Sequence, residues 1–415
     1  MVLIIRETMK RGHYAWAVCF ACLLLFLCNM GLCSNILTVY LPFIEARGIS
    51  DGMGSAILSV RCLFSFLTTF FLSVYYKKFS LRHGILIASL IGAVFPLVFC
   101  VAGSNPFIYY LGAILAGFSY GAGVIYPVSL LLSNWFHARH GFAVGLSAAG
   151  SGVATMAFSP LLSSVVVHFS LETAFIAQAI FMALSTVVTY LIIRDTPAEK
   201  GILPYGESKE TAAADHTSSP DFTLPRGMLW MLALMMLLNG GAGLAFSGHL
   251  GVLTRTSGYS AELAASLISL FGLMLIISKL IAGSIADRIG SKQCSILLFL
   301  IFIAGCFFVF GMDGSNTFWC FALAIMLGLG ASLFNVGPPL WAEDLSSRQQ
   351  YAKTLKWLQI FYNLGGIIFT VVPGLIADHT HEYKSSFVLF AVMMTLSLLI
   401  LLWAYRKRAA LAPME

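Results

Sequence analysis

Apolar positions in this chain run in long, nearly unbroken stretches separated by short polar intervals. Windows of about 19 residues pick out roughly twelve such stretches, each long enough to cross a hydrocarbon core of about 30 Å. They lie near 14 to 41, 53 to 76, 84 to 102, 107 to 133, 141 to 168, 172 to 193, 228 to 254, 261 to 286, 292 to 311, 316 to 342, 351 to 378 and 384 to 404. Long continuous apolar runs are the pattern of membrane-spanning helices; a lipid-exposed barrel would show short alternating strands. The pattern predicts an all-α polytopic membrane protein with twelve transmembrane helices.

Composition agrees with the pattern. Of 415 residues, 59% are hydrophobic and only 10% charged, with a mean hydropathy of +0.88, which overrules the two or three soluble domains that length alone would suggest. The distribution of basic residues gives an orientation. Arg6, Lys10 and Arg11, then Lys77, Lys78 and Arg82, then Arg139, the central linker, Arg288 and Lys292, then Arg348, Lys353 and Lys356, and the Arg406, Lys407, Arg408 tail fall on one side; Arg47, Arg255 and Lys384 fall on the other. The heavily basic side is expected to be cytoplasmic, with both termini inside a bacterial inner (plasma) membrane. The net charge of +6 thus serves topology, and no nucleic-acid partner is expected. The first apolar run, from Tyr14, is too long for a signal peptide and is read as the first span. Nine cysteines lie scattered through apolar segments without metal-ligand spacing, so neither metal nor cofactor is expected; His137 and His140 sit in a short basic loop.

Between 194 and 227 the composition shifts to Pro, Ser, Thr and acidic residues, as in a solvated linker. It divides the chain into an N-terminal bundle of six helices (1–193) and a C-terminal bundle of six (228–415). A shift of 211 residues lays "DGMGSAILSV" on "ELAASLISLF" and "SVYYKKFSLR" on "SIADRIGSKQ", a faint internal repeat. The many glycines read first as close packing of membrane helices, and Pro127, Pro338 and Pro339 as bends in the fourth and tenth spans.

The stretch "GSIADRIGSK" resembles the G-x-x-x-D-R-x-G-x-K loop motif of the major facilitator superfamily, with Gly283, Asp287, Arg288, Gly290 and Lys292 in the motif positions. The resemblance implies two pseudo-symmetric six-helix bundles, the major facilitator fold, with this motif as a gating latch. The first-half counterpart, "SVYYKKFSLRHG", lacks the Asp and both glycines. "NWFHARHGFAVGLSAAGSGVA" and "NVGPPLWAEDLSSRQQYAKTLKWLQIFYNLGG" are similar to segments of the oxalate:formate antiporter and monocarboxylate transporter branch.

Two cations lie inside predicted spans. Lys279 is eight residues before Asp287, about 12 Å inside the helix end at 1.5 Å per residue, too deep to snorkel comfortably. Arg61 lies about fifteen residues, roughly 22 Å, above the cytoplasmic end of span two. Even lenient insertion scales put the cost of such a charge at about 2.5 to 3.5 kcal/mol, so an anion site is the expectation. The structural alternative has Arg61 satisfying helix-end carbonyls, or Lys279 a carbonyl or an unidentified acid. In the resembled branch an Arg stands in span eight in an R-x-x-x-G setting, which Lys279 and Gly283 occupy here. The charge is kept, but the planar fork of a guanidinium is not. Proton-linked relatives carry an Asp one turn earlier, where this chain has Leu275. Antiporter relatives carry a Lys in span eleven, where this chain has Gln359, Tyr362 and Asn363.

Asn35, Tyr40, Tyr126, Asn335, Tyr362 and Asn363 are expected to complete the substrate site with aromatic walls and a few hydrogen-bonding groups. No nucleophile, base and orienting acid appear together and no Walker motif is present, so an enzyme is not expected. The sequence is read as a secondary carrier of small carboxylates, monomeric in the lipid bilayer, working by exchange through alternating access. Proton-coupled carboxylate symport and export of drug-like compounds are the alternatives.

Overall fold

In the computed structural model, residues 2–206, 224–370, 372–380 and 382–411 are described. Twelve helices among them are long and apolar enough to cross a membrane. Numbered as spans 1 to 12, they are Tyr14–Glu45, Ala56–Lys78, Leu81–Cys100, Pro106–Trp135, His140–His168, Leu171–Ile192, Arg226–Phe246, Ser266–Ile289, Ser291–Gly311, Thr317–Leu345, Tyr351–Ala377 and Lys384–Ala410. Their starts follow from local chemistry. The first N–H groups of a helix lack intrahelical partners, and Ser80, Asn105, Ser170 and Asn316 accept from His83, Phe107, Thr173 and Phe318 at the heads of spans 3, 4, 6 and 10. Before span 10, Asp313 accepts from the Ser315 hydroxyl at 2.8 Å and from the Ser315 and Asn316 N–H groups, which hold its carboxyl at about 2, below the usual carboxylate range.

The chain forms two compact units, Met1–Ser219 and Pro220–Glu415. In the first, span 1 packs on span 5, span 2 on span 4, and span 3 on spans 4 and 6; in the second, span 7 packs on span 11, span 8 on span 10, and span 9 on spans 10 and 12. Each unit thus repeats the pairing of the other at an offset of six spans. Close approach between the paired helices depends on glycine. A Cβ at Gly365 would overlap the Leu237 carbonyl across spans 11 and 7, and one at Gly117 would lie 2.5 Å from the Arg61 carbonyl oxygen across spans 4 and 2.

Spans 4 and 10, where the prolines predict bends, are both interrupted. Helix stops at Gly123 and restarts at Ile125 through an irregular Val124 (φ −121°, ψ −99°); in span 10 it stops at Gly330 and restarts at Leu333. Pro127 lacks the N–H that would reach back to Gly123 beside the first break, whereas Pro338 and Pro339 lie inside the restarted helix of span 10, beyond its break at 331–332. Two further irregularities, invisible in the sequence, are π-helical segments at Phe26–Asn35 in span 1 and Ala154–Phe158 in span 5.

The first part of the expected linker carries contacts to the bundle before it. Residues 194–206 are strapped to the first unit: Trp135 Nε1 donates to the Arg194 carbonyl at 2.9 Å, Asn134 donates to that of Asp195, and the His137 and Ala138 N–H groups both reach the Tyr205 carbonyl. Tyr205 packs its ring against Trp16 and Phe136. Residues 207–223 of the expected linker lie outside the described residues.

Candidate functional site

Lys279 lies in span 8 and has no solvent-exposed surface, one of the largest fully enclosed side chains in the protein. Next to it, the Ser278 hydroxyl bonds to the Leu329 carbonyl and, at 2.8 Å, to the Ser332 hydroxyl, both at the interruption of span 10. The break leaves carbonyls without helical partners, and the span 8 serine meets one of them. Two residues beyond Ser332, Phe334 faces Tyr362 of span 11 with ring centroids 6.4 Å apart. Asn335, Tyr362 and Asn363 are all buried. The restart of span 10 therefore stands between the lysine-bearing turn of span 8 and Tyr362 of span 11. Gln359, one turn before Asn363 on span 11, is also buried, and its amide nitrogen has no hydrogen-bond partner among the described residues.

In the first unit, Arg61 on span 2 is buried, with its guanidinium 5.5 Å above the Tyr120 ring of span 4 and one Nη donating to the neighbouring Cys62 thiol at 2.8 Å. Among the described residues, its hydrogen bond goes to this thiol and not to a helix-end carbonyl. Tyr126, just past the interruption of span 4, packs on Tyr76, whose hydroxyl closes onto the Ala122 carbonyl at 2.6 Å. Asn35, the last residue of the first π-helical segment, donates to Thr155 Oγ1 in the second at 2.8 Å, and both side chains are half-buried. Tyr40 stands apart. Its hydroxyl donates to Gln178 Oε1 at 2.7 Å, its ring meets Phe175 edge-on, and it has no exposed surface. Tyr40 thus ties span 1 to span 6.

The loop motif has clear geometry. Gly283 is buried, whereas Asp287 and Arg288 are exposed at the end of span 8. Gly290 has φ +92°, a conformation that side chains rarely adopt, so the motif requires glycine there. Lys292 lies 6.0 Å over the ring of Tyr405 in span 12, and the Tyr405 hydroxyl reaches Asp344 at the end of span 10 at 2.7 Å. The motif thus joins the ends of spans 8, 9, 10 and 12 within the second unit. Sequence reasoning missed Tyr120, Thr155, Ser278 and Ser332, since one hydroxyl in an apolar helix carries no sign of which neighbour it will meet.

The sequence profile of the Major Facilitator Superfamily matches residues 20–274 and 232–413. The chain belongs to the major facilitator superfamily. Its fold is shared with the proton:xylose symporter XylE, at a TM-score of 0.74 and 12% identity over 94% of this chain and 95% of that one. Monocarboxylate transporter 12 of Xenopus laevis is 20% identical over 93% of this chain and 87% of its own length. The oxalate:formate antiporter of Oxalobacter formigenes is 25% identical over 61% of this chain and 60% of its own length. As a major facilitator protein this chain is a transporter and not an enzyme, and it moves a small organic solute across the membrane.

Proposed function

We propose that the transporter carries a small monocarboxylate together with a proton, and that Lys279 is the group that meets both. The observation behind this reading is the complete enclosure of Lys279 in span 8. An ammonium ion withdrawn from water is costly, and a carboxylate arriving beside it forms an ion pair that offsets much of that cost. A lysine can also release its proton, which an arginine does not do in proteins. One side chain can therefore bind the anion as a point charge when protonated and reset as a neutral amine. This supplies the titratable group that the leucine at Leu275 does not. The likeness to monocarboxylate transporter 12 along most of both chains supports the substrate class. Both termini lie in the cytoplasm on this reading, as the basic loops require, and one chain suffices.

Exchange of one anion for another is the second reading, favoured by the likeness to the oxalate:formate antiporter. The two separate in proteoliposomes given labelled propionate, with protein-free liposomes measured alongside because undissociated acids cross lipid. With the outside one pH unit more acid, one-to-one proton coupling predicts accumulation up to about tenfold in vesicles that contain no substrate. Indifference to the gradient, with uptake accelerated only by unlabelled propionate inside, establishes exchange instead.

A further inference from the structure

Arg61 is a permanent charge in an apolar place. It is 8% exposed, and among the described residues no carboxylate pairs with it. Its recorded partners are soft ones, the Cys62 thiol at 2.8 Å and the face of Tyr120, itself buried. The Nε–H is buried and has no acceptor among the described residues. A thiol and a ring face donate some electron density but do not neutralise a guanidinium, and arginine cannot escape by losing its proton. An unsatisfied donor on a buried ion is among the costliest arrangements a protein can hold. Gly117 and Gly121 bring span 4 against the backbone of span 2 at Arg61 and Ser65, which holds Tyr120 beside the guanidinium.

We propose that Arg61, Cys62 and Tyr120 form a site for a small monovalent anion, a halide or a short carboxylate, within the first unit. The bound anion accepts from the free Nε–H and supplies the missing negative charge, and the Tyr120 ring shields the opposite face of the guanidinium. This site is built within the first unit alone and goes beyond the transport reading. It predicts a carrier whose stability depends on small anions even when Lys279 is absent.

The test uses the purified full chain in detergent, at constant ionic strength, exchanging isethionate for chloride and, separately, for propionate. The thermal unfolding midpoint of the wild type is expected to rise by several degrees as chloride increases to about 100 mM. Lys279→Met should keep that rise. Arg61→Met should lose it while unfolding in isethionate no earlier than the wild type, because the uncompensated charge is gone. The reactivity of Cys62 toward N-ethylmaleimide, read by peptide mass spectrometry, provides a readout independent of how the variants fold; chloride should slow it in the wild type. A rise with propionate that Lys279→Met abolishes, without any response to chloride, would place the only anion site at the lysine and overturn the proposal. So would an undiminished chloride effect in Arg61→Met, or Cys62 reactivity indifferent to both anions.

Discussion

Single residues in this protein divide by whether their polar atoms already have partners. Tyr40 and Gln178 hold each other, with the Gln178 amide also donating to the Leu32 carbonyl at 3.2 Å in the π-helical segment of span 1. Tyr40→Phe removes one donor and leaves a buried acceptor unsatisfied, so it should destabilise the first unit by about 1 to 2 kcal/mol, seen as a lower unfolding midpoint, while substrate uptake per folded molecule stays at the wild-type level. Loss of transport without loss of stability would instead place Tyr40 in the substrate site. Lys279 and Arg61 were legible in the sequence because charge inside an apolar run is rare and costly. The role of Tyr40 was not legible, because its partner lies 138 residues away and nothing in the local pattern names it.

At the level of elements, the spans were readable because each must satisfy its backbone hydrogen bonds internally and cover them with apolar side chains over a fixed thickness. The break in span 4 was readable from Pro127 for an equally local reason, whereas that of span 10 lies upstream of Pro338 and Pro339. The π-helical segments were not, since a wider turn arises from packing: the span 1 segment meets the span 5 segment where Gly31 abuts Ala154. The attachment of residues 194–206 was not readable, because their polar composition is indifferent to the indole of Trp135 and the ring of Trp16 that hold them. Glycine contacts between spans are local in cause but not in consequence. Gly365→Ala should prevent spans 7 and 11 from closing, because the added methyl meets the Leu237 backbone, which cannot rotate away as a side chain could. Expression in membranes followed by size-exclusion chromatography should show loss of the monodisperse peak; a well-folded, active Gly365→Ala would show the crossing to be looser than described.

Over the whole molecule, the repeated pairing of spans in the two units gives physical substance to the faint shift of 211 residues, and the family match covers both halves. The candidate site was legible in outline only. Its charges, its glycine turn at Gly290 and several of its polar residues could be named from the sequence, whereas the contacts of Ser278 with the broken turn of span 10 required the fold. The account depends most on Lys279 meeting the anion. The direct measurement is propionate binding to purified protein, followed as ligand-dependent thermal stabilisation in a chloride-containing buffer, for the wild type, Lys279→Met and Lys279→Arg. With Lys279 at the site, Lys279→Met folds yet gains nothing from propionate; Lys279→Arg binds but no longer accumulates propionate in response to a pH gradient. Wild-type binding and gradient-driven uptake in Lys279→Met would contradict it.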